Sequence, residues 1–201
     1  MTRKYELRKR AEQLAETRRR IVEAAVELHT TAGPARTSIA AIAERAGVQR
    51  HTVYAHFPDV RSLISACSGH WEQANPFPDP HAWSALEESE PRLRAALDAV
   101  YGWYERVEPD LALFLRDASL VPETGEVMEQ QAEHFAALAD ELARGIRPRR
   151  AARAATGHAL EFETWRSLVR RQGLSRAAAV DLMIRLVTTT PTRAANRNRN
   201  A

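Results

Sequence analysis

Apolar positions along this chain recur at intervals of three and four residues, the period of helices packed on one face, and no stretch alternates as a half-buried strand would. From about Glu6 to Thr31 the pattern is charged at first and then amphipathic, with Ile21, Ala25 and Leu28 one turn apart and Glu16 four residues before Arg20. Gly33-Pro34 ends that helix, Thr37 has the chemistry to cap the next, and Pro58-Asp59 stops a third and caps a fourth running to about Trp71. Residues 75–81, with three prolines, predict a boundary. Beyond it, Pro91 opens a helix carrying Leu93, Leu97, Val100 or Tyr101, Tyr104 and Val107, and Pro109 is expected to start a separate short one through Leu111, Phe114 and Leu115. Pro122 and Gly125 should separate that from a helix of about 126–144, in which Phe135, Leu138 and Leu142 share a side. Two further helices are expected over roughly 149–172 and 175–189, split by Gly173 with Ser175 as cap. The expected fold is all-α, about nine helices.

Within this pattern residues 37–57, TSIAAIAERAGVQRHTVYAHF, form a helix-turn-helix signature. Ile39, Ile42, Ala43 and Ala46 mark one buried face, Gly47 offers a left-handed turn, and Val53 and Phe57 anchor a second short helix. Small residues are needed where the two helices cross, and Ala43 and Gly47 meet that need. Such a unit holds its second helix in a DNA major groove. Gln49, Arg50, His51 and Thr52 then stand at the start of that helix, and Arg50 is the best candidate for a guanine edge because a guanidinium donates twice, to O6 and N7.

The ordered set Gly33, Thr37, Ile39, Ile42, Ala43, Ala46-Gly47-Val48, Thr52, Tyr54 and Phe57, with Ile21, Ala24, Ala25 and Leu28 before it and Leu63 and Ile64 after, resembles the DNA-binding head of TetR-family transcriptional regulators over about residues 18–66. His29 stands where that family usually has Phe, Gln49 where a Ser cap is frequent, and Val60 where a Lys is common. The resemblance implies a repressor that reads a near-palindromic operator in double-stranded DNA as a homodimer and is released by a small-molecule effector. It also implies phosphate contacts from Tyr54, His56 and Thr37, the last at a helix amino end where the dipole favours an anion.

Charge distribution agrees with a polyanion partner at the amino-terminal end. Residues 1–70 carry 12 Lys and Arg against 7 Asp and Glu, a balance of +5, whereas residues 71–201 carry 17 against 19, a balance of −2. The basic residues of the arm, Arg3, Lys4, Arg8, Lys9 and Arg10, continue into Arg18, Arg19 and Arg20, and could lie along phosphates or enter a minor groove. Expected domains are a basic arm (1–17), the DNA-binding head with its connecting helix (18–72), a ligand-binding and dimerisation body (82–190) and a disordered, basic tail (191–201).

In the body, Trp103, Tyr104, Phe114, Phe135, Phe162 and Trp165, with Tyr101, His134 and His158 near them by helix phase, suit a largely apolar ligand pocket. The last two helices have apolar positions on more than one side (Leu160, Phe162, Trp165, Leu168 and Val169; Val180, Leu182, Met183, Leu186 and Val187), a surplus that a homodimer interface would absorb. The single Cys67 fits a reducing cytoplasm, and no run approaches the ~18 apolar residues of a membrane span, so neither export nor membrane insertion is expected. No catalytic motif and no metal-ligand spacing occurs, so an enzyme, a metal or another cofactor is not expected; an architectural DNA binder without sensing is the alternative.

Overall fold

The computed structural model describes residues 2–189, with side chains from Tyr5 onward; the expected tail lies outside the described residues, as do the side chains of Arg3 and Lys4. Among the described residues the chain is all-helical, without strands. It forms two compact units, one built from the residues up to Pro76 together with Val107–Gln130, the other from Phe77–Arg106 and the residues after 130.

The first unit begins with α1 (Thr2–Thr31), followed by a 3-10 turn (Pro34–Arg36), α2 (Ile39–Ala46), α3 (Arg50–His56) and α4 (Val60–Ala74). Ile21, Val22, Ala24 and Ala25 of α1 bury against Ile42, Ala43 and Ala46 of α2, Val53 and Phe57 around α3, and Leu63 and Cys67 of α4. Burial pushes the Cys67 thiol up to about 12, so it stays an uncharged packing group. Asp59 caps α4 as expected, its Oδ1 accepting from the Ser62 amide at 2.7 Å. Thr37 does not cap α2. Ser38 does, its Oγ accepting from the Ala41 amide at 3.1 Å, because the hydroxyl of Thr37 turns back to donate to the Gly33 carbonyl at 2.9 Å. Nor does Glu16 pair with Arg20: it binds Arg19, while Arg20 reaches across to α2.

The second unit opens with α5 (His81–Ser84), a single turn that buries Trp83 in the proline-rich stretch. Next comes α6 (Ser89–Asp117), which passes from this unit into the first after Arg106, as the helix after it passes back after Gln130, and which runs unbroken through Pro109. The expected interruption there does not occur. A proline in a helix interior loses one backbone bond and costs about 3 kcal/mol, but this ring is exposed while Tyr104 and Val107 before it and Asp117 after it are buried, so packing holds both halves in one helix. Likewise α7 (Pro122–Leu142) starts on Pro122 and has Gly125 inside its first turns, instead of being preceded by both; a Cβ at Gly125 would lie 2.8 Å from the Ala118 carbonyl, which explains the glycine without a break.

The helix expected over 149–172 is three pieces: α8 (Arg149–Leu160), α9 (Phe162–Arg166) and a π-helical turn (Ser167–Arg171). The break falls at Glu161, whose backbone is extended (φ −67°, ψ 135°), with neither Gly nor Pro to announce it. Two carbonyls left at the end of α8 are closed from α6 instead: the Tyr101 hydroxyl donates to Ala159 O at 2.9 Å and the Tyr104 hydroxyl to Leu160 O at 2.5 Å. Finally α10 (Arg176–Thr188), capped by Ser175 as expected, buries Val180, Met183, Ile184 and Val187.

Candidate nucleic-acid interface

The α2–α3 pair is set by three local features. Gly47 adopts φ 65°, ψ 40°, a left-handed conformation open to glycine at little cost, and its amide and that of Val48 close onto Glu44 O (3.0 Å) and Ala43 O (2.9 Å). Arg20 of α1 then donates to the carbonyls of Ala46 and Gly47, tying the turn to the supporting helix. Val53 and Phe57 sink fully into the core, and the Arg18 guanidinium lies 4.4 Å from the centre of the Phe57 ring. Neither arginine's role was visible in the sequence, because each depends on contacts more than 25 residues away.

With Val53 and Phe57 inside, the other faces of α3 look outward. Gln49, Arg50, His51 and Tyr54 are exposed, Thr52 and His56 half-buried. Arg50 Nη2 donates to the Tyr54 hydroxyl at 3.3 Å, one turn along, and its guanidinium sits 5.8 Å from the ring, so the two side chains form one polar cluster on the open face. Thr37 is half-buried beside the amino end of α2. Arg19 is held between Glu16 and Glu23, with bonds of 2.7 and 2.6 Å, on the exposed side of α1. The arm that carries Arg8, Lys9 and Arg10 is helical from Thr2, and Arg8 pairs with Glu12 at 3.1 Å. His29, at the end of α1, is buried, which lowers its pKa to about 4 and keeps it neutral.

In the second unit the aromatic side chains meet. Tyr104 packs at 5.3 Å from Phe162 and 5.6 Å from Trp165, and those two lie 5.4 Å apart. Trp103 and Phe135 are joined through Phe77, at 5.3 and 5.4 Å; Phe77, in the proline-rich segment, has no periodicity that could have marked it. The Nε1 of Trp165 is buried without a hydrogen-bond partner among the described residues. Phe114 does not join this cluster: it belongs to the first unit, edge-on to Trp71 at 5.5 Å, and Trp71 in turn donates to Asp110 at 2.7 Å. His158 is exposed, 3.4 Å from Glu161. Among the described residues no group of three His, Cys, Asp or Glu side chains could hold a metal ion, and no helix is long and apolar enough to cross a membrane.

An all-helical chain with a helix-turn-helix near its amino end is the class that fold and site define. The pattern describing bacterial regulatory proteins of the tetR family matches residues 21–67. The HTH-type transcriptional regulator TtgR of Pseudomonas putida is 43% identical over 60 residues, which are 30% of this chain and 29% of that protein; the match thus spans under a third of the relative's length. Over most of the chain the fold is similar to a TetR-like transcriptional regulator from Rhodococcus sp. RHA1 (TM-score 0.60, 20% identity, 85% of this chain and 93% of that one). It is also similar to the multidrug binding protein EbrR, solved with imidazole (TM-score 0.57, 23% identity, 88% and 97%). The amino-terminal domain, over residues 21–67, is thus similar to the DNA-binding domain of tetR-family regulatory proteins, and the rest of the chain shares their fold.

Proposed function

We propose that the protein is a sequence-specific DNA-binding transcriptional regulator of the repressor type, which acts as a homodimer and leaves its operator when a small, largely apolar ligand binds the second unit. The observation that carries this reading is α3, anchored from below by Val53 and Phe57 with Gln49, Arg50, His51, Thr52 and Tyr54 left outward. Arg50 and its neighbours read base edges, while Tyr54, His56 and Thr37 hold phosphates. Arg19 contributes as a phosphate contact only if it gives up Glu16 and Glu23.

Ligand sensing is supported by the aromatic group around Tyr104, whose member Trp165 has a buried donor to offer, and by the likeness to EbrR, a multidrug binding protein. Dimerisation is supported by apolar side chains that stay partly exposed: Leu168, Val169 and Leu182 are half-buried and Leu186 is 43% exposed. Two heads paired by a twofold axis read a near-palindromic site. Such a protein works where DNA is, in the cytoplasm.

The test is selection of duplexes from a random-sequence pool by the full-length protein. Enrichment of one near-palindromic motif, with binding that weakens steeply as salt rises, is the expected result. Binding that treats all duplexes alike would overturn the specific reading in favour of an architectural one. In sedimentation experiments Leu186→Glu should shift the protein from dimer to monomer; an unchanged dimer would place the interface elsewhere.

A further inference from the structure

We infer that Arg116 and Asp117, at the carboxy-terminal end of α6, are positioning residues for DNA binding: they clasp the turn between α1 and α2 and so set the phosphate-facing end of α2. The inference rests on the proposed regulator reading. It concerns residues far outside the segment matched by the family pattern, and neither would touch DNA.

The turn leaves backbone groups that no helix satisfies. At its start, Arg116 Nη2 donates to the Ala32 carbonyl at 2.9 Å. In its middle, Asp117 Oδ2 accepts from the Ala35 amide at 2.9 Å. Arg116 and Asp117 also bind each other through two parallel bonds, Nε to Oδ1 at 2.7 Å and Nη2 to Oδ2 at 3.0 Å. The Asp117 side chain is only 1% exposed, and a carboxylate can stay charged there because both its oxygens are occupied. Hydrogen bonding to Arg116, with smaller help from the Ala35 amide, holds its carboxyl below the usual range.

Gly33 is built around the same pair. Its φ of 97° favours glycine, and a Cβ on it would run into Arg116 Nη2 and Asp117 Oδ2, far inside contact distance of both. From Gly33 the order passes directly to the interface: its carbonyl accepts from Thr37 Oγ1 at 2.9 Å, and the next residue, Ser38, caps α2. The clasp therefore fixes Thr37, proposed to meet phosphate, and with it the start of α2, while leaving α3 and Arg50 alone. Loosening it should weaken binding without changing which bases are preferred.

The test measures fluorescence anisotropy of the full-length protein on a duplex it has selected from the random pool and on an unrelated duplex of equal length. Arg116→Ala should weaken both by the same factor, roughly tenfold, the value of one charge-assisted hydrogen bond. Asp117→Asn should do the same; if that buried change unfolds the head, the half-exposed Arg116 carries the test alone. A merely stabilising contact is distinguished by a double-mutant cycle, read well below the melting point of each variant: Thr37→Ala should weaken binding in the wild type and add little once Arg116 is Ala, since both act through one turn. Wild-type affinity in Arg116→Ala, or losses that simply add, would overturn the inference while leaving the regulator reading intact. A wild-type protein that enriches no duplex would remove both.

Discussion

The same residue type does opposite things in the two units. Tyr54 of α3 is 44% exposed, its hydroxyl meeting Arg50 one turn away, whereas Tyr104 of α6 is 2% exposed and its hydroxyl closes the last carbonyl of α8. Around α2 and α3 the packing is left to Ile, Val, Leu, Ala, Phe and Cys67, while the polar residues of α3 face out, so the candidate interface and the core are different residues. In the second unit, the aromatic side chains proposed to meet a ligand are also the core. The head can therefore change what it reads at little cost in stability, while the body cannot change its aromatic set without endangering its fold.

The sharpest way to break this comparison is Trp165→Ala, which should lower unfolding free energy by about 3–5 kcal/mol in chemical denaturation, as large-to-small changes at fully buried aromatics do. A loss near zero would mean that the ring lines open space and is not core. The head contains one exception to its apolar interior, His29. Its folded pKa of about 4 lies below the ordinary value of 6.5, so between those limits the unfolded chain binds the extra proton and stability falls as pH falls. The full effect is on the order of 3 kcal/mol, fully lost below about pH 4. His29→Phe should flatten the stability profile between pH 4 and 6.5; a profile as steep as the wild type's would assign the dependence to other groups.

Paired hydroxyl deletions sharpen the contrast further. Tyr104→Phe should cost about 1–3 kcal/mol, because it leaves Leu160 O buried without a donor, while Tyr54→Phe should leave the unfolding midpoint unmoved. Equal losses in both would contradict the division. The smallest effect on stability is expected from Arg50→Ala, within about 0.5 kcal/mol, since the side chain is exposed. Its loss in DNA binding should be roughly 1–3 kcal/mol, confined to one base position per half-site. A uniform loss across sequences would move Arg50 to a phosphate.

What could be read beforehand follows the same divide. The helix-turn-helix was legible because its determinants are local: an apolar period matching the helical turn, a glycine for one left-handed residue, and an Asp at the start of α4. Even there the cap of α2 was misplaced by one residue, since Thr37 and Ser38 carry similar hydroxyls and only the fold of the turn decides which faces the amides. The aromatic residues were found from composition, but their grouping was not. Helix phase cannot tell that Phe77 enters the cluster while Phe114 lies against Trp71.

By itself, then, the order of amino acids determined the helical class, the position of the reading helix and the residues on its open face, because backbone preference and amphipathic period act within a few residues. Only the tertiary structure decided that α6 continues through Pro109, that the chain breaks at Glu161, and that Arg116 and Asp117 hold the turn at Ala35. In each of these a contact from another element outweighs the local preference: packing on both sides of a proline, two tyrosine hydroxyls that satisfy a severed helix end, and a buried carboxylate with its half-exposed arginine partner that replace missing backbone partners.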